Sequence, residues 1–140
     1  MPKGALRKVV LTAVIATALA PAAQPAAAHP VTRFDACAAI TQNGPRCFPD
    51  GLSYIYGSTV RLRARVVPAH AGQAEVWRKR PGAQRFTRVG QAPVDPQGRI
   101  RWNWPTTRAD ADQARPYHFF FRIPGHGRST DVDVYVLFGE

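Results

Sequence analysis

Beyond residue 28 this 140-residue chain has no long apolar run and no convincing helical period. The first lack argues against a membrane-spanning helix, which needs ~20 predominantly apolar residues. The second argues against helical bundles and alternating α/β folds. Cysteine is nearly absent: Cys37 and Cys47 are the only two. Their separation is not the C-x-x-C of a redox motif, and a structural zinc would lack two of its four ligands. Acidic residues are few, nine against nineteen Lys and Arg, and arginine greatly outnumbers lysine. The serines Ser53, Ser58 and Ser129 sit in no nucleophile-elbow motif. The histidines His29, His70, His118 and His126 are scattered, with no H-E-x-x-H pair. No catalytic residue, metal site or cofactor is therefore assigned. A small secreted enzyme is the last of the functional readings.

The amino terminus has the three parts of a secretory signal. Lys3, Arg7 and Lys8 form a positive start, Val9 to Ala20 an apolar core, and Ala26-Ala27-Ala28 a small-residue cleavage site. Residues 1–28 are read as a signal peptide, which implies a secreted, extracellular protein. Losing Lys3, Arg7 and Lys8 with it lowers the formal charge from +10 to +7. In an exported chain two close cysteines read as one disulfide. Closing such a loop is worth roughly 3 kcal/mol in the chain-entropy picture. Residues 29–56 are read as an irregular segment pinned by that bridge, with turns at Asn43-Gly44-Pro45 and Pro49-Asp50-Gly51. Residues 57–140 are read as the folded domain.

From Thr59 the pattern changes to strict alternation. Val60, Leu62, Ala64 and Val66 point one way, Arg61, Arg63 and Arg65 the other. Further strands are expected over 73–80, 85–91, 99–104, 116–123 and 130–138, separated by Pro/Gly turns such as Asp95-Pro96-Gln97-Gly98. Ile100, Trp102 and Trp104 share a face, as do Tyr117, Phe119, Phe121 and Ile123, and as do Val132, Val134, Val136 and Phe138. A strand near Leu52 to Tyr56 brings the number to about seven. Short strands at regular spacing with these turns predict an all-β, antiparallel sandwich.

Several stretches carry a family likeness: Tyr56-Gly57-Ser58-Thr59-Val60 running on to Val66, Ala74-Glu75-Val76-Trp77-Arg78-Lys79-Arg80 with Phe86-Thr87-Arg88-Val89, Asp95 to Trp102, and Tyr117 to Gly125. In these the chain resembles the immunoglobulin-like β-sandwich domains of secreted actinobacterial proteins. Ala64 stands where that family often has Gly, and Phe86 where it often has Trp; Phe119 and Phe120 replace more polar residues. The disulfide segment is not part of the family pattern. The resemblance implies a spacer, adhesive or accessory module and brings no catalytic residues.

Two surfaces stand out. Arg61, Arg63, Arg65, Lys79, Arg99 and Arg101 fall on outward strand positions and could meet an anionic cell-envelope polymer or an acidic protein. Nucleic acid is disfavoured by the export signal and the lack of any known motif. The plainer reading of such a stripe, and the one favoured on sequence, is the solvated face of an arginine-rich sheet. Phe120, Tyr135 and Leu137 fall opposite their strands' core faces and could form one apolar partner patch; the competing expectation is that the amino-terminal segment folds over them. Trp102 and Trp104 read as core, with a carbohydrate-stacking platform as the alternative. Asp110, Asp112, Asp131 and Asp133 could hold calcium only if loop and strand converge.

Overall fold

The computed structural model describes Gly4 and residues 30–139; apart from Gly4, the expected signal peptide lies outside the described residues. Ten strands form two sheets: β1 (Arg33–Ala39), β2 (Cys47–Phe48), β3 (Leu52–Ile55), β4 (Thr59–Val67), β5 (Gly72–Lys79), β6 (Thr87–Val94), β7 (Arg99–Pro105), β8 (Tyr117–Ile123), β9 (Gly127–Arg128) and β10 (Val132–Leu137). One sheet runs β2-β1-β4-β7; the other runs β3-β10-β8-β5-β6, with β9 added to β8. The expected all-β sandwich is present. Seven of the strands have six or more residues. Every pairing is antiparallel except β3 with β10, which is parallel.

Two-residue alternation places the core between the sheets. Val60, Leu62, Ala64 and Val66 from β4 and Ile100 from β7 meet Ala74 and Val76, Phe119 and Phe121, and Val132, Val134 and Val136 from the facing sheet. Trp102 and Trp104 pack against this core, Trp102 on Phe119 and Trp104 on Tyr117 and Phe119. Phe138 departs from its predicted inward place: β10 ends at Leu137, and Phe138 is 45% exposed beside Tyr56.

The reading of residues 29–56 as irregular is corrected. β1 pairs with β4 along its whole length, from Arg33↔Val67 to Ala39↔Arg61, and buries Phe34, Ala36 and Ala38. Small alanines at the inward positions gave this strand a weak apolar signal. β6 also runs further than the expected third strand, reaching Val94, with Ala92 and Val94 inward. A bulge at Val89 shifts its register against β5. Gly90 follows it, where a Cβ would lie 2.7 Å from the Trp102 indole nitrogen.

The turn between β6 and β7 is built by Asp95. Its Oδ1 accepts hydrogen bonds from the backbone N–H groups of Gln97 and Arg99, at 2.9 and 2.8 Å. Gly98 closes the turn at φ +78°, with its carbonyl bonded to the Val66 N–H. Across the sandwich, the buried Tyr54 hydroxyl on β3 donates to the Ala39 carbonyl on β1 at 2.7 Å, tying one sheet to the other.

Candidate functional site

The outer face of the four-stranded sheet is built from strand register. β4 is central, with β1 on one side and β7 on the other. Arg65 lies directly opposite Arg99, and Arg63 directly opposite Arg101; Arg61 faces Asn103. On the β1 side, Asp35 lies opposite Arg65 and Cys37 opposite Arg63. Five of the six cations singled out in the sequence therefore share one face. Like charges placed directly across an antiparallel pair destabilise it, and this sheet holds two such pairs in adjacent rows.

Arg63 has a separate task. Its guanidinium donates to the carbonyls of Thr41 and Gln42 at 2.7 Å and of Gly44 at 2.6 Å. These bonds, with the Cys37–Cys47 disulfide, hold the 41–46 loop upright beside the sheet. Loop and sheet together bound an open cleft of about 650 Å³ lined by Arg33, Arg65, Arg99 and Arg101, with Asn43, Gly44 and Pro45 among its wall residues. Asp35, its single acid, is ion-paired to Arg33. Arg61, Arg65, Arg99 and Arg101 form no salt bridge among the described residues.

Lys79 does not join them. It lies on β5 in the other sheet, with its Nζ 5.2 Å from the Phe86 ring centroid. On that second outer face each acid has a partner. Glu75 meets Arg88 at 3.2 Å and Arg122 at 3.8 Å, Asp133 meets His118 at 2.6 Å, and Asp131 is paired with Arg128.

The three apolar candidates do not form one patch. Phe120, Tyr135 and Leu137 do share an outer face, but the His118–Asp133 pair stands between Phe120 and the other two along the strands. Phe120 is only 7% exposed. Its cover is not the amino-terminal segment: Trp77 stacks on it at 6.1 Å, Phe86 meets it edge-on at 4.8 Å, and the Arg128 guanidinium sits 3.9 Å above it. β3 adds beside β10 as an edge strand and leaves this face to those side chains.

Trp102 and Trp104 face the interior, so a sugar-stacking platform has neither indole. Arg78 lies over Trp104 and Tyr117, at 4.9 and 5.7 Å from their ring centroids. Burial lowers the pKa of its guanidinium, and the neighbouring Arg80 adds to the shift. The acids do not converge either. Asp112 binds the 114 and 115 N–H groups, and Asp110 caps the short 3-10 helix Arg108–Asp110 at Thr107. Among the described residues no three His, Cys, Asp or Glu side chains gather as a metal site. His70 and His126 stack at 4.1 Å, brought together by two turns distant in sequence.

No protein-family model matches this chain, and no curated protein is significantly similar to it. The geometry alone therefore carries the functional argument. Sequence reasoning missed Arg33 and the 43–45 wall as parts of the cleft. The alternation of Arg33, Asp35 and Cys37 with Phe34, Ala36 and Ala38 is the signal that marks β1 as a neighbour of the arginine strand.

Proposed function

We propose that this protein is an exported, non-catalytic module of the immunoglobulin-like type found in secreted actinobacterial proteins, and that it binds an anionic polymer of the cell envelope. The binding surface is the outer face of the β4–β7 sheet. The observation that carries this reading is the placement of Arg61, Arg65, Arg99 and Arg101 on one face with no salt bridge to any of them among the described residues. A fold that opposes like charges across a ladder forgoes stability there; an anionic partner restores the balance. The disulfide supports export, because such bonds persist in oxidising compartments. Among the described residues no helix is long and apolar enough to cross a membrane.

Strand order supports the immunoglobulin-like reading. β1, β4 and β7 take the places of strands A, B and E, and β10, β8, β5 and β6 those of G, F, C and C′. The functional test is binding to purified anionic envelope polymer across a range of ionic strength. Affinity should fall steeply as salt rises, because exposed charges are screened within about 8 Å at physiological ionic strength. Salt-independent binding to a neutral polysaccharide would favour a carbohydrate-binding module instead.

A further inference from the structure

We infer that the cleft beside the disulfide loop is a dedicated site for a phosphate-type oxyanion, held by Arg65, Arg99 and Arg101. This rests on the reading of the sheet face as an anionic-polymer surface and names the chemical group of that polymer which the site takes.

Arg65 and Arg99 are direct cross-strand neighbours, so their Cβ atoms lie ~5 Å apart. Arg99 and Arg101 are two residues apart on one strand, ~7 Å along the same face. Their stems are long enough for three guanidinium groups to reach one small anion. Each guanidinium is a planar fork suited to two oxygens at once. A lone carboxylate offers two oxygens and one charge and is satisfied by a single fork. Three forks that form no salt bridge among the described residues match a polyvalent oxyanion with oxygens on several sides.

The surroundings shape a site rather than a stripe. Arg63 is occupied by the Thr41, Gln42 and Gly44 carbonyls and serves as a positioning residue for the wall. Asp35 is tied to Arg33 and places a negative charge at the β1 end. The anion is thereby directed toward β7. That strand is the edge of its sheet, while Arg33, Asp35 and Cys37 of β1 and the 43–45 loop line the other side. A cleft in which arginines outnumber the single acid, Asp35, concentrates counter-ions more than a flat face does.

The test uses inorganic pyrophosphate as the probe, followed by NMR on the arginine Nε–Hε signals. Saturable shifts confined to Arg65, Arg99, Arg101 and the 43–45 loop are expected. Arg99→Ala and Arg101→Ala should each weaken binding about tenfold, the loss expected for a hydrogen bond between charged groups. Arg122→Ala, on the other sheet, should leave it unchanged. Thermal melting of each variant verifies folding. Shifts spread over both sheets, equal weakening by Arg122→Ala, or equal competition by acetate would overturn the inference. If pyrophosphate fails while the envelope polymer still binds with salt sensitivity, this site is wrong and the broader reading stands; if the polymer fails as well, both fall.

Discussion

Tyr54 joins the two sheets through its side chain. Its hydroxyl is buried and donates to the Ala39 carbonyl, and burial raises its pKa above the ordinary 10.0, opposed by weaker effects of Arg61 and Arg63. Replacing Tyr54 by Phe removes the donor and strands a buried carbonyl, at an expected cost of about 1 kcal/mol, measurable by urea denaturation. The pH dependence follows from the direction of the shift. Above pH 10 the unfolded chain loses the phenolic proton while the folded chain keeps it, so Tyr54 stabilises fully below that pH and its contribution fades as pH rises through the folded value. The alkaline loss of stability should be shallower in Tyr54→Phe. Tyr117 shifts the same way, also by burial first, so the loss should persist in part. Gly98 makes a second residue-scale case. It combines φ +78° with a position where a Cβ would lie 2.3 Å from the Val66 carbonyl oxygen. Gly98→Ala should cost ~1–3 kcal/mol, read as a lowered melting temperature; an unchanged melt would contradict the described turn. The sequence pointed to this turn through Asp-Pro-Gln-Gly. It could not announce the Tyr54 bond, which joins strands fifteen residues apart through a contact that exists only once both sheets are packed.

At the scale of the strand, alternation carried the reading well where inward residues are large. β4 spans the predicted Thr59–Val67, and the inward sets of β5, β7, β8 and β10 occupy the core, Phe138 excepted. It failed at β1, where two alanines and one phenylalanine supply the inward face, and at β6, where the Val89 bulge interrupts the rhythm. Register was not legible at all. Sequence could group Arg61, Arg63 and Arg65 on one strand and Arg99 and Arg101 on another. It could not tell that these strands adjoin in opposed rows, nor that Lys79 lies on the other sheet. Those rows make a prediction. Arg99→Ala relieves repulsion with Arg65 and removes no ion pair formed among the described residues, so at low salt the variant should be as stable as the parent or more stable, by ~0.2–1 kcal/mol. The gain should shrink as salt screens the pair. Marked destabilisation would mean that Arg99 has a structural partner and that its place on this face is not held for binding.

The whole molecule is a sandwich whose two outer faces differ in charge economy. One is covered by ion pairs and by an aromatic cluster around Phe120. The other exposes arginines beside a cleft whose wall is fixed by a disulfide and by Arg63. This asymmetry, rather than the net charge of +10, is what the proposed binding role rests on. The measurement that bears on it most directly is the slope of log affinity against log salt for anionic envelope polymer, compared between the parent and Arg65→Ala/Arg99→Ala/Arg101→Ala. By the counter-ion release seen with charged polymers, removing three cationic contacts should flatten the slope by about two to three units, with a matching loss of affinity. A variant with undiminished affinity and slope, or an equal effect from removing Lys79 and Arg122 on the opposite sheet, would contradict the account.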